Sequence, residues 1–206
     1  MKILFQGDSI TDWGRSRTDF NDVGRGYAHL VKARLSLDYP GKFEFQNRGV
    51  GGNRVADVYA RMYPDIIELK PDLMSIMIGT NDYPWFEDEK YNERYERVFN
   101  MLLEDVKADL PEIKFMILEP FVLPGDRVVA ENYPLRRAQT ERRSEAAQRV
   151  AERFGAKFVP IQKHLDAALE KAPIDYWTIE GVHITEAAYQ IIADEWIKAF
   201  KEMNNL

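Results

Sequence analysis

The chain has 206 residues, 45% hydrophobic, 30% charged and 12% aromatic, the composition of a globular protein with room for one full core. No run approaches the apolar length that crosses a membrane. The absence of cysteine excludes a disulfide framework and a thiolate nucleophile or metal site, and a net charge of −6 argues against a general nucleic-acid binder, which needs a basic surface.

From the N-terminus, Ile3–Phe5 is a short β-branched and aromatic run closed by Gly7, which predicts a buried strand. No apolar core segment or small-residue cleavage site marks a signal peptide there, so the cytoplasm is the expected location. The strand feeds straight into Gly7-Asp8-Ser9. Ser9 followed by Asp12 fits the [ST]-x-x-[DE] helix cap, but a serine at a strand-to-helix corner also holds its hydroxyl beside helix-terminal N–H groups, a good place for a nucleophile. A helical pattern over Gly26–Leu37 carries His29, a surface or packing residue. Phe43–Phe45 reads as a strand, the glycine-rich NRGVGGNRV as a turn, and Val55–Leu69 as a helix. Leu73–Ile78 is apolar throughout and leads to GTND. A helix over Tyr91–Ala108 and a strand over Phe115–Leu118 follow.

The proline-rich stretch Glu119–Pro134 reads as a long loop, and long ordered loops are often part of a site. Thr140–Phe154 predicts an amphipathic helix, with Ala146, Ala147, Val150, Ala151 and Phe154 on one face and a salt-bridged outer face where arginines and glutamates interleave. Lys157–Val159 is the last strand, and His164 lies in a further helical stretch. The terminal helix, Thr185–Met203, is capped by Thr185 and carries Tyr189, Ile192, Trp196 and Phe200 on one side.

Apolar runs such as LMSIMIG suit parallel strands covered on both faces. Strand and helix in alternation predict a doubly wound α/β sheet of about five strands with helices on both sides, in one domain spanning residues 1–206. Ligands of such sheets gather at the carboxyl ends of the strands. The segments there are GDS, NRGVGGN, GTND and EPFVLP.

A serine nucleophile needs a base. Among three histidines, His183 stands out in WTIEGVHIT, directly before the terminal helix and three residues after Glu180. There it can take the serine proton while Glu180 orients its ring, or be a loop histidine beside a solvated glutamate. The loop NRGVGGNRV lacks the third glycine of a dinucleotide fingerprint and follows the second strand rather than the first, which discounts a nucleotide- or flavin-binding reading. Asn81 of GTND can cap a helix or offer its amide to an oxyanion.

In this order, GDSIT, NRGVGGN, GTND and an acid three residues before a C-terminal histidine resemble the SGNH (GDSL) hydrolase superfamily across the chain from Ser9 to His183. The resemblance implies a three-layer α/β/α, flavodoxin-like fold and a serine esterase without metal or cofactor. It makes Ser9 the nucleophile and His183 the base, with the oxyanion held by the N–H of Ser9, the N–H of Gly52 and the side chain of Asn81. One departure stands out: the family usually has aspartate where this chain has Glu180. Asp175 is a backup orienting acid, and a weakened triad would leave a carbohydrate-binding protein.

GDSITDWGRSR and the YPWF after GTND resemble the carbohydrate acetylesterase branch, which includes acetylxylan esterase-like enzymes. This implies deacetylation of a small ester or an acetylated oligosaccharide, with Asp8, Trp13, Tyr83, Trp85 and Trp177 as substrate-binding residues. The in-class rival is a lysophospholipase or thioesterase. Neither nucleic acid nor membrane is an expected partner, and homo-oligomerisation stays open.

Overall fold

The computed structural model describes residues 1–19, 21–82, 89–125 and 127–206, without side chains at 89 and 127–131. Its centre is a five-stranded, all-parallel sheet in the order β2-β1-β3-β4-β5. The strands are β1 (Lys2–Gly7), β2 (Glu44–Asn47), β3 (Leu73–Met77), β4 (Lys114–Leu118) and β5 (Lys157–Val159). All five fall where the apolar runs predict them.

Successive side chains of a strand face opposite ways, and the core divides accordingly. Ile3 and Phe5 join Met77, Met116, Leu118 and Val159 beneath α2 (Tyr27–Asp38) and α8 (Glu186–Asn204). Leu4, Met74, Ile76, Phe115 and Ile117 pack under α3 (Val55–Ala60), α4 (Glu89–Asp109) and α5 (Arg127–Phe154). The result is the three-layer arrangement expected. One polar residue interrupts β3: Ser75 is fully buried, and its Oγ accepts the indole N–H of Trp196 at 2.7 Å.

Three elements depart from expectation. The Val55–Leu69 helix is split, with α3 ending at Ala60 and a π-turn following over Tyr63–Ile67. Pro64 has no N–H to continue the α-ladder. The loop read over Glu119–Pro134 is shorter, because α5 starts at Arg127 and holds Pro134 inside it. A proline omits one backbone bond, and the flanking turns of a long helix absorb that loss. The Ser9 cap is also corrected: Ser9 is the first residue of the short helix α1 (Ser9–Asp12), and the cap is Asp8, whose carboxyl oxygen accepts the Ile10 N–H at 3.0 Å.

The outer face of α5 is salt-bridged as read, through Arg137 to Glu141 (2.7 Å) and Asp166 (2.9 Å), Arg149 to Glu96 (2.7 Å) and Arg153 to Glu104. Arg143 breaks the pattern, being fully buried with Nη1 donating to the Gln139 carbonyl. Thr185 is the N-cap of α8 by position, but its hydroxyl donates to the Tyr176 carbonyl. Among the described residues no helix is long and apolar enough to cross a membrane.

Candidate active site

Strand β1 ends at Gly7, and the chain turns at once into α1. This places Ser9 at the carboxyl edge of the sheet, beside the point where strand order reverses between β1 and β3. His183 comes to the same edge from a short segment between α7 (Ile174–Trp177) and α8. A bridge between Thr178 and Ile184 closes that segment, and Thr178 ties it internally. Its hydroxyl donates to the His183 carbonyl and accepts the Gly181 N–H, both at 2.7 Å.

The segment is also backed by the chain after β4. Leu123 N–H donates to the Gly181 carbonyl at 2.8 Å, and a Cβ at Gly125 would lie 2.1 Å from the Glu180 carbonyl oxygen. Only glycine permits that approach.

The imidazole lies between the two expected partners. Nε2 of His183 is 2.9 Å from Ser9 Oγ, and Nδ1 hydrogen-bonds Glu180 Oε1, which also accepts the His183 backbone N–H at 2.9 Å. Asp175 lies exposed on α7, apart from this chain of bonds. Serine, imidazole and carboxylate in this order can move a proton from the hydroxyl while the carboxylate holds the ring and offsets its charge.

Two further loops close on Ser9. Val50 N–H donates to the Gly7 carbonyl at 3.0 Å, and Gly51 N–H to the Asp12 carboxylate at 3.0 Å, itself paired with Arg17 at 2.5 Å. Gly52 follows at the exposed tip with φ +80°, and no described residue accepts its N–H. Asn81 donates one side-chain N–H to the Asn53 carbonyl at 3.1 Å, which leaves the second for another acceptor. Asp82 joins the same two loops by accepting the Val55 N–H at 3.1 Å. Arg17, Asp82, Thr178 and Gly125 were not singled out from the sequence, and Asp12 only as part of a helix cap. The signal of Asp12, Asp82 and Gly125 is spatial, since their contacts with Gly51, Val55 and Glu180 join segments distant in the chain, whereas Thr178 bonds within its own segment.

The proposed substrate contacts fare unevenly. Asp8 is 2% exposed beneath Ser9, where its side chain is turned inward and caps α1. Trp177 belongs to the core and donates its indole N–H to the Ala172 carbonyl at 3.2 Å. Both assignments are therefore corrected. Trp13 is half-buried against the His183 ring, while Tyr83 and Trp85 lie outside the described residues. The other histidines stand apart: His29 is exposed, and His164 faces Glu195 at 3.5 Å.

Two carboxyls lie behind the site, Asp8 buried and Asp82 half-buried. Burial pushes the Asp8 pKa up to about 7, against the Ile10 N–H and helped by Asp82. Burial likewise raises Asp82 to about 6, opposed by the Val55 N–H and the Arg143 charge. Folded Asp8 thus keeps its proton up to about pH 7, whereas the unfolded carboxyl ionises near 3.8. The stability contributed by the neutral carboxyl is complete below the unfolded value and is lost as pH rises through the folded one, roughly 4 kcal/mol in all. Asp8→Asn keeps an acceptor for Ile10 but carries no charge. Urea unfolding between about pH 4 and about pH 8 should show a flatter loss of stability with pH in the variant than in the wild type. Parallel profiles would refute the assignment.

A Ser-His-acid line at the carboxyl edge of a doubly wound sheet is an arrangement suited to acyl transfer, and the family and relatives of the chain make it a carboxylic ester hydrolase. Residues 5–191 match the profile of the GDSL-like lipase/acylhydrolase family, and the chain belongs to that family. It is 32% identical over 210 residues to an acetylxylan esterase of Geobacillus stearothermophilus, covering 96% of this chain and 92% of the relative. The crystal structure of an acetylxylan esterase from the same organism superposes with a TM-score of 0.83 at 28% identity, over 96% of this chain and 93% of that one. A putative GDSL-like lipase from Parabacteroides merdae gives a TM-score of 0.84 at 33% identity, over 96% and 94%. The SGNH resemblance and the esterase class read from the sequence are borne out.

Proposed function

We propose that the chain, acting as one domain over residues 1–206, removes short acyl groups, acetyl above all, from carbohydrates such as acetylated xylo-oligosaccharides. The observation that carries this reading is the line from Ser9 Oγ through His183 to Glu180, with 2.9 Å between serine and imidazole. Ser9 Oγ attacks the ester carbonyl carbon as His183 Nε2 takes its proton. The N–H groups of Ser9 and Gly52 and the amide of Asn81 receive the oxyanion. Collapse expels the sugar hydroxyl, protonated by His183, and leaves acetyl on Ser9. Water, deprotonated by the same imidazole, then releases acetate.

The acetylxylan esterase among the relatives supports acetyl and carbohydrate as the two halves of the substrate. A cytoplasmic location belongs to the same proposal and makes imported oligosaccharides the substrate rather than the polymer. The test is kcat/KM for p-nitrophenyl acetate, butyrate and octanoate, beside acetate release from acetylated xylo-oligosaccharides. A fall of about tenfold or more from acetate to butyrate, with release from the oligosaccharide, is the expected result. A rising preference for long chains would instead assign a lysophospholipase or thioesterase. Sugar binding without turnover would assign a binding protein.

A further inference from the structure

We infer that Trp13 is a positioning residue for the catalytic imidazole, its indole face fixing the plane of the His183 ring and favouring the imidazolium formed during turnover. This rests on the triad proposed above. The rings stack with centroids 5.5 Å apart and planes inclined by 26°, and the indole is backed by Tyr189, also at 5.5 Å. Ser9 and Glu180 fix the two nitrogens of the imidazole, but two in-plane bonds leave the ring free to rock about the line joining them. A flat surface against its face removes that freedom. An indole face also carries negative potential, so it attracts the ring more strongly once the ring holds the serine proton.

The backbone shows that the placement is enforced. Trp13 has φ +21° and ψ +62°, a conformation that residues with a side chain rarely adopt and that clusters at functional sites. Its N–H donates to the Ser9 carbonyl at 3.0 Å, and its carbonyl accepts the Arg25 N–H at 2.9 Å. The segment Val23-Gly24-Arg25-Gly26 forms the cradle. A Cβ at Gly24 would lie 2.9 Å from the Trp13 carbonyl oxygen, and one at Gly26 3.2 Å from Trp13 Cβ and 3.1 Å from Tyr189 Cε1. A side chain at Gly24 would collide with the Trp13 backbone, and one at Gly26 would force Trp13 or Tyr189 to shift by a few tenths of an ångström, which disturbs the packing that holds the indole.

The experiment measures kcat and KM separately for p-nitrophenyl acetate, which has no sugar to stack on Trp13. It compares wild type, Trp13→Leu, Trp13→Phe and Gly26→Ala, with Ser9→Ala as control and cooperative thermal unfolding as the check on folding. Trp13→Leu should lower kcat by about 3- to 30-fold with KM little changed. Trp13→Phe should recover most of the loss, because it restores an aromatic face. Gly26→Ala should lower kcat with the indole itself intact, and it carries the test if Trp13→Leu does not fold. Unchanged kcat in folded Trp13→Leu or Gly26→Ala overturns the inference. So does a defect confined to KM for acetylated xylo-oligosaccharide, which would make Trp13 a sugar platform. Turnover independent of Ser9 would overturn the triad itself, and the inference with it.

Discussion

Ser9→Ala is expected to lower kcat for p-nitrophenyl acetate by about 10⁶-fold, to the level that binding and oxyanion donors sustain without a nucleophile. The substitution deletes one oxygen, the atom 2.9 Å from His183 Nε2. It should leave the fold untouched, because the cap of α1 is the Asp8 carboxyl and not the serine hydroxyl. Loss of an N-cap side chain costs about 0.5–2 kcal/mol, so stability separates the two roles a serine can have at this corner. A nucleophile predicts a dead enzyme with an unchanged melting temperature. A cap predicts an active enzyme that melts early. Kinetics and thermal unfolding on one preparation decide, and retained activity would sink the proposed mechanism.

Glu180→Gln should cost about 10⁴-fold in kcat, the scale seen when the acid of a Ser-His-acid triad is made neutral. Oε1 of Glu180 holds two donors of the same residue, the Nδ1–H and the backbone N–H of His183. A glutamine can turn its amide toward the ring and favour the tautomer with the proton on Nε2, where it cannot accept from Ser9. It also removes the charge that offsets the imidazolium. Glu180→Asp keeps the charge but shortens the arm by one methylene, so the carboxylate falls short of a ring held by Ser9 and Trp13. Misplacement of about 1 Å is worth on the order of 10²-fold, and Glu180→Asp should lie between glutamine and wild type. If aspartate matches glutamate, the segment Thr178–His183 is free to move, contrary to the tethers from Thr178, Leu123 and Gly125.

The strands and most helices were legible because period and apolarity are local. Ile3, Leu4 and Phe5 announce a strand covered on both faces whatever surrounds them. Ser9, Gly52, Asn81 and His183 were legible as a pattern in order, and the structure brings the segments carrying them to one sheet edge. Asp8 was assigned to substrate through the resemblance, with no local signal to show that it turns inward to cap α1. Trp177 was misread because an aromatic residue near a site serves as well for core as for substrate. Pro134 marked a boundary in one dimension but lies within a 28-residue helix. The stacking of Trp13 on His183 had no local signal, since it needs glycines 24 and 26 and residues 170 positions further on to meet in space.

Ser9 and His183 are 174 positions apart, yet they share one hydrogen bond. A chain leaving the ribosome therefore presents Ser9, Gly52 and Asn81 long before any base can reach them. Synthesis and folding proceed from the N-terminus, so under the proposed mechanism the nascent polypeptide stays chemically silent until its C-terminal segment docks against β1 and β3. Under that mechanism the late arrival of His183 makes hydrolysis a property of the completed fold alone. Recovery of turnover during refolding would then time the last long-range contact rather than the first helices.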